Sequence, residues 1–592
     1  MRKILFIVCL PIGISIAFFV SCSAEPDKIV EDAGTIHQIN WQHFNTEAFL
    51  EAKNLDKLVF LEVGANWCHW CHVMDDSTYS DPKVQSYLND HFILCREDQD
   101  ARPDLYAAYK PWGWPAIIVL NAAGEELLKL RGYQQKKGFL KDLQAIVENP
   151  VVLSDRDANE STNFSASELE LYTQFLSKID HKKGGYNWNN KSLDVTGIQH
   201  ALYYYLNTDS LKNWADLTVN NSYLLVDPVW SGVYQYSAKK SWNNQHYEKL
   251  LRKQAEYIVA YCQYGSISET KKPIEMAEGI FDYCNRFLGN ETPLFWNSQN
   301  ADLVSGVHSG EYYALSEKDR LKQGTPSVDK KIYLKENAAI CLALTKLWAA
   351  TGKNKYVIKG IAMLDYILDN YKNKSGVYSR EKGQEKIISL DDNIKLIEAL
   401  LVYYQITGNK KYVTESIAIG YGVMELFDSP KGLQSAAGEL AITPVLVPKS
   451  NVEAVITFNQ LGHLTKLDTF TNYATKIYSN LDKKELARSL ATLPLLIRAD
   501  KAIVNEPYHA LLVSNGTVPN KDKYLAALLL HPDASFIFEE LRFDEMTPAD
   551  KAFYGSFDSG TLFMCTSSFC SAPIFSVSAL DNFLKQNLGG FD

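Results

Sequence analysis

Leu58-Val59-Phe60-Leu61-Glu62-Val63-Gly64-Ala65-Asn66-Trp67-Cys68-His69-Trp70-Cys71-His72 is the stretch on which the fold turns. An apolar run of strand length leads directly into two cysteines separated by two residues. Such a pair can close a small disulfide, and a cysteine at a helix N-terminus has its thiolate stabilised by the macrodipole. Three chemistries share these letters: disulfide exchange, attachment of a c-type haem through C-x-x-C-H, and zinc binding by Cys and His.

Outward from the motif, the pattern from Lys57 to about Pro150 reads strand, CxxC, helix, strand, loop, strand and helix. Ser80-Asp81-Pro82 offers a helix start, Phe92 to Cys95 the next strand and Ala116 to Leu120 a buried third one. Asn121-Ala122-Ala123-Gly124 can turn the chain into Glu126 to Leu130, and Lys136 to Val147 has helical spacing.

This stretch resembles the thioredoxin superfamily. Trp67 precedes the first cysteine, Glu62 lies six residues before Cys68, and Trp114-Pro115 stands just before the third strand, all in the superfamily's order. The resemblance implies that Cys68 is the nucleophile, Cys71 the resolving thiol and Glu62 its proton acceptor, with Pro115 a cis-proline aligning a substrate backbone. His69 is then a positive neighbour that lowers the thiolate pKa and makes the couple more oxidising. Trp70, Trp112 and Trp114 suggest an apolar rim for polypeptide or thiol substrates. Haem leaves Trp67, Glu62 and Pro115 without a role, and zinc strains a tetrahedron whose ligands come from one helical turn. The plainer alternative is a redox-dead module kept as a binding platform. No cofactor and no metal is called for by the thiol reading.

The wider wording resembles the thioredoxin-like family named after a spermatogenesis-associated protein: Cys68-His69-Trp70-Cys71-His72-Val73-Met74, Asp98, Arg102-Pro103-Asp104, Tyr109 and Gly113-Trp114-Pro115. Further on, Tyr234-Gln235-Tyr236-Ser237, Trp242, His246-Tyr247-Glu248-Lys249-Leu250 and Gly310-Glu311-Tyr312-Tyr313 continue the likeness, which covers about 40 to 590. That family joins the thioredoxin-like domain to a six-hairpin, glycosidase-like helical toroid. Departures occur at Asn244-Gln245-His246-Tyr247-Glu248-Lys249-Leu250 and at Asn300-Ala301-Asp302, where the family usually has Pro-His-Phe-Glu-Lys-Met and Asp-Ala-Asp.

A repeat can be read without any family. Asn337 is followed by Thr351-Gly352 and Tyr356, Asn393 by Thr407-Gly408 and Tyr412, Asn451 by Thr465-Lys466 and Phe470, at periods of 56 and then 58 residues; Asp194, Thr208 and Trp214 form a weaker copy. Each unit reads as a helical hairpin, with Asn expected to cap the first helix and Gly352 or Gly408 to end it. Hairpins cannot bury their apolar faces alone, so they must stack. Residues 165–500 have room for six, the size of a closed (α/α)6 toroid; an open solenoid would use the same repeat. If the toroid mouth were a sugar site, His246, Glu248, Asp302, Glu311, Asp391 and Asp392 would supply acid and base, with Trp230, Tyr236, Trp242 and Trp296 as stacking platforms. Against this, Asp391-Asp392-Asn393 can simply cap a helix, His246 and Glu248 can bridge loops, and 11 Trp with 34 Tyr leave ample aromatics for core packing.

The remaining segments set the context. Arg2 and Lys3, the apolar Ile4 to Val20 and the lipobox-like Phe19-Val20-Ser21-Cys22 read as an export signal over 1–22 ending at a lipidated Cys22, with a tether over 23–45. The expected domains are thioredoxin-like over 46–150, toroid over 165–500 and a small α/β region over 505–592. In the last, Cys565 and Cys570 are close enough for a disulfide, whereas Cys95, Cys262, Cys284 and Cys341 lie in apolar segments. A net charge of -10 argues against nucleic acid. The sequence therefore reads as multidomain α/β plus all-α. Its expected function is that of a bacterial exported thiol-disulfide oxidoreductase-like protein, held as a lipoprotein at the membrane by its lipid anchor and facing the periplasm or cell exterior. Its partners would be a polypeptide or a small thiol or disulfide. A carbohydrate-active or sugar-binding protein with a glycan partner, and a non-catalytic scaffold, are the alternatives.

Overall fold

The computed structural model describes residues 38–153, 168–205, 208–516, 518, 520–532, 536–555 and 557–587. The expected export signal, Cys22 and the tether up to residue 37 lie outside the described residues. Among the described residues no helix is long and apolar enough to cross a membrane.

Alternation of side chains decides the first domain. Strands β1 (Leu58–Gly64), β2 (Phe92–Asp98), β3 (Ala116–Leu120) and β4 (Glu126–Arg131) form one sheet in the order β2-β1-β3-β4. β1 runs parallel to β2 and antiparallel to β3, and β3 and β4 form the hairpin. Phe60, Ile117 and Val119 face one side, where they meet Val84 and Leu88 of α3 (Pro82–His91) and Phe139 and Leu143 of α5 (Lys136–Glu148). Val59, Leu61, Val63 and Ile118 face the other, against Ala48 and Ala52 of α1 (Thr46–Leu55) and Leu105 and Tyr109 of α4 (Pro103–Tyr109). Each aliphatic side chain so buried contributes about 1.5–3 kcal/mol. A sheet buried on both faces explains why β1 and β3 read as continuous apolar runs. Asp81 caps α3 through the Lys83 and Val84 N–H groups ahead of Pro82, and α2 (His69–Met74) starts at Cys68 and continues as a wider turn to Tyr79.

The helical half is a closed ring. Its inner helices are α7 (Val195–Tyr203), α9 (Leu251–Ile267), α13 (Leu334–Thr351), α15 (Leu390–Thr407), α17 (Pro448–Thr465) and α20 (Leu493–Val504). Each packs on the next, and α20 returns to α7. Outside them lie α8 (Asp209–Ser222), α10 (Lys271–Tyr283), α14 (Lys355–Asn370), α16 (Lys410–Phe427) and α18 (Asp468–Asn480), each paired with the inner helix before it. The sixth pair joins the two ends of the region, α6 (Glu168–Lys178) packing on α20. Short helices α11 (Gly310–Tyr313) and α12 (Glu317–Gln323) decorate the excursion before α13, and α19 (Lys483–Arg488) precedes α20. The ring is therefore an (α/α)6 toroid rather than an open solenoid.

The repeated asparagines do not cap. Asn337 lies in the first turn of α13, where its amide accepts from the Phe295 N–H at 2.8 Å and donates to the Phe295 and Tyr333 carbonyls at 3.1 and 2.9 Å. Asn393 holds the Tyr378 backbone, and Asn451 that of Leu433, in the same way. One amide thus pins the loop before each inner helix by pairing both of its backbone groups, which a cap cannot do. Asp194, by contrast, does cap α7, through the Gly197 N–H. Gly352 and Gly408 end their helices with φ of 69° and 70°, the left-handed conformation in which glycine costs least, and Lys466 takes the equivalent place at 57°.

The C-terminal region has strand Tyr508–Ser514 between a parallel Phe536–Arg542 and an antiparallel Leu562–Cys565. Its helix α21 (Lys521–Leu530) packs on α13 and α9, and Gln263 and Gln405, late in α9 and α15, bond its backbone. It closes the toroid end where the inner helices finish. The thioredoxin-like domain occupies the end where they begin.

Candidate active site

Cys68 is the N-cap of α2, and its sulfur accepts the Cys71 N–H at 3.2 Å. Cys68 and Cys71 are joined as a disulfide, with Cα atoms 5.3 Å apart. Trp114-Pro115 is a cis peptide bond. Trp114, Trp67, Ala65 and the toroid's Leu250 enclose the pair, leaving Cys68 only 4% and Cys71 6% exposed.

Glu62 sits behind Cys71. A side chain at Gly64 would meet Cys71 Sγ at 3.3 Å and Glu62 Oε1 at 3.5 Å, so this glycine lets the carboxyl and the sulfur share one small space. Burial pushes the Glu62 carboxyl above its usual pKa, against the opposing charge of Arg96, whose guanidinium lies 3.2 Å from it and 2.6 Å from Asp75. A buried acid with a raised pKa is suited to trade a proton with a leaving thiolate.

The toroid completes the site. Asp302, buried on the loop before α11, takes His69 Nδ1 at 2.8 Å and His72 Nδ1 at 3.3 Å, while His72 Nε2 meets the Asn66 carbonyl oxygen at 3.1 Å. Burial works to raise the Asp302 pKa, but the hydrogen bonds and charges of the two histidines prevail and lower it. For His72 burial works to lower the pKa, and its bond to Asp302 outweighs that and raises it. Glu248 is buried just before Leu250; burial pushes its carboxyl up to about 7, and Oε2 has no hydrogen-bond partner among the described residues. Burial and the charges of His69 and His308 push His246 down to about 4, and its ring stacks on Tyr236 at 4.2 Å.

A second contact, absent from the sequence reading, fixes the domains to each other. Asp100, on the loop after β2, accepts Trp67 Nε1–H at 2.6 Å and the amide of the toroid's Asn297 at 2.9 Å, and Arg380 donates to its carbonyl. Burial raises the Asp100 pKa and carries that of Asp98, helped by the Asp100 charge, up to about 8. The only sequence signal is an acidic cluster, Asp98-Gln99-Asp100, at the end of an apolar strand.

The residues expected around the dithiol and those expected to form a sugar site distribute differently. Trp70 is exposed and stacks on Tyr133, while Trp112 is partly buried against the same core cluster as Trp114 and the toroid's Ala441 and Ile442. Trp230 and Trp242 are not platforms: both are buried, Trp230 beside the Asp227–Lys249–Arg320 ion cluster and Trp242 donating to the Lys183 carbonyl. Asp392 is not free for catalysis, being buried against Arg380 at 3.0 Å and accepting the Lys335 N–H. Glu311 is exposed on α11. Asp302 and Glu248 belong to the dithiol site. Cys565 and Cys570 form a disulfide, and the four remaining described cysteines are free and buried.

Residues 33–147 match the family model Thioredox_DsbH, described as a protein of unknown function, DUF255. The first domain is thioredoxin-like. Over 308 residues the chain is 24% identical to spermatogenesis-associated protein 20 of Rattus norvegicus, a match covering 45% of this chain and 39% of that one. The chain thus spans about two-fifths of that relative's length. Over 99 residues it is 33% identical to thiol:disulfide interchange protein DsbD 1 of Pseudomonas aeruginosa, covering 15% of this chain and 17% of that one. A sugar epimerase from a ruminal bacterium aligns with 53% of this chain and 84% of its own, at 16% identity and a TM-score of 0.42.

Proposed function

We propose that the protein is a thiol-disulfide oxidoreductase that works through a mixed disulfide at Cys68, exported and held at the membrane by a lipid on Cys22. The observation that carries this reading is the closed Cys68–Cys71 pair with the buried Glu62 behind the resolving sulfur. An incoming thiolate attacks Cys68, whose Sγ stands at the helix N-terminus, and Cys71 departs towards a carboxyl group able to give it a proton. Asp302 fixes both His69 and His72 beside the dithiol, and its bond to His72, outweighing burial, favours positive charge on that ring near Cys68. Pro115 presents backbone beside the sulfurs, and the toroid supplies one wall of the site through Leu250, Asp302 and Glu248.

The test is trapping. Full-length Cys71→Ser incubated with a small disulfide is expected to accumulate one covalent adduct on Cys68 by intact mass, and Cys68→Ser none. Absence of an adduct on Cys71→Ser sinks the reading.

A further inference from the structure

Building on that thiol-exchange reading, we infer that the axial recess of the toroid selects small thiols and disulfides bearing carboxylate groups, and that Arg252 is the residue that reads the anion. Access sets the size. With Leu250 and Trp114 against the sulfurs and both histidines tied to Asp302, a disulfide on a folded protein cannot reach Cys68 while the domains are docked. A small molecule needs only the space inside the ring.

That space is accessible and charged. Glu256, Lys335 and Asp391, within the first two turns of the inner helices α9, α13 and α15, keep 32%, 33% and 24% of their side-chain surface accessible. Most charges there are matched: Lys335 pairs with Asp391 at 2.5 Å and Lys253 with Glu256 at 2.6 Å. Arg252 is different. It makes no hydrogen bond or ion pair with any described residue; of the carboxylates that feel its charge, Glu256 pairs with Lys253, Asp100 bonds Trp67 and Asn297, and Glu336 meets Arg380 at 3.3 Å through Oε1, its Oε2 having no partner among the described residues. A guanidinium has five donors in a fork that fits a carboxylate, and those of the half-buried Arg252 are open to solvent and so to a ligand.

The position suits the chemistry. Arg252 follows by two residues the Leu250 that packs with the disulfide, and it leaves α9 on a different face, where the charges of Tyr106 and Asp100 of the facing domain reach it. Across the recess stands Tyr106 of α4, whose ring is 6.2 Å from Trp114. Burial would raise the Tyr106 phenol, but the charges of Arg252, Lys110 and Lys335 bring it down to about 8, the sign of a positive potential at that spot. An anionic group held there leaves its sulfur facing Cys68. In the exchange, a substrate thiolate bonds to Cys68 Sγ as the Cys68–Cys71 bond breaks. A second substrate thiolate then attacks the bound substrate sulfur and releases Cys68. Two thiols give up two electrons and become one disulfide, the protein disulfide becomes a dithiol, and the two substrate protons end on protein thiols or solvent. The reverse sequence reduces a small disulfide.

The probes are three aliphatic disulfides of similar size: dithiodipropionate (anionic), hydroxyethyl disulfide (neutral) and cystamine (cationic). Reduced full-length protein is mixed with each, loss of protein thiols is followed by alkylation and intact mass, and rates are normalised to those with dithiothreitol. The anion is expected to react about tenfold faster than the neutral probe, and the cation more slowly than either. Arg252→Gln should bring the ratio of the anionic to the neutral rate down to about one, with Arg252→Lys between. Should the variants fold poorly, raising salt on the unaltered protein must slow the anion alone. Equal normalised rates, or equal loss on all probes, overturn the selection while leaving thiol exchange standing. Reaction with none of the three overturns both.

Discussion

Replacing Asp302 by Asn removes the charge that holds two imidazoles beside the dithiol. Asp302 is 1% exposed in its side chain and lies 2.8 Å from His69 and 3.3 Å from His72. An opposite charge within about 4–6 Å of an ionisable group moves its pKa by about 1–3 units. His69 and His72 ride on the helix that Cys68 opens and Asp302 comes from the facing domain, so their charges partly cancel at Cys68 and the effect falls at the low end, about one unit. Loss of the imidazolium destabilises the thiolate, which raises the Cys68 pKa and disfavours the reduced form. One unit is about 1.4 kcal/mol, or about 30 mV for a two-electron couple, towards more negative potential. Redox titration against glutathione, read by alkylation and mass, measures the shift, and the pH dependence of iodoacetamide labelling at Cys68 measures the pKa. A midpoint that stays put or moves positive refutes the reasoning. The contact of Asp302 with His72 also has a pH window. The His72 pKa is raised above 6.5, so its contribution is full below 6.5 and fades as pH rises through the folded value; the Asp302 pKa is lowered below 3.8, so its contribution is full above 3.8 and fades as pH falls through the folded value. Docking of the two domains is therefore expected to be tightest between those limits, and Cys68 labelling in the reduced protein to accelerate above them.

Glu62→Gln cannot take the proton from Cys71 as that thiol attacks, and is expected to slow resolution of the mixed disulfide by Cys71 by about 100-fold at neutral pH, seen as a longer-lived adduct in quenched-flow mass analysis. Glu248→Gln should flatten the pH dependence of exchange between about pH 6 and 8, because burial places that carboxyl at about 7; an unchanged profile removes Glu248 from the proton traffic. Asn337→Ala strands both backbone groups of Phe295 in the interior and is expected to cost about 2–4 kcal/mol in chemical denaturation, with Asn337→Asp recovering only the N–H contact.

Much of the thioredoxin-like domain was legible because its signals are local. Glu62, Cys68 and Cys71 fall within one strand and one helical turn, and Pro115 abuts the third strand, so the resemblance to the thioredoxin superfamily rests on short, local stretches. The periodicity of the inner helices was equally plain, but closure of the ring was not, since α6 and α20 meet from opposite ends of the region. Asn337 was misread as a cap because the helix begins at Leu334, three residues earlier, and only the loop carrying Phe295 reveals what the amide does. Asp302 lies 233 residues from His69, and no pattern in either segment names the other. Trp230 and Trp242 looked like platforms because an aromatic that packs a buried ion cluster or holds a loop carbonyl has the same letter as one that faces a sugar.

The reduction potential of the Cys68–Cys71 couple in the intact protein tests thiol exchange most directly. A single two-electron transition with a midpoint between about -270 and -120 mV, the span of working thioredoxin-type couples, is expected. A disulfide that stays closed below about -300 mV, as structural disulfides do, contradicts it.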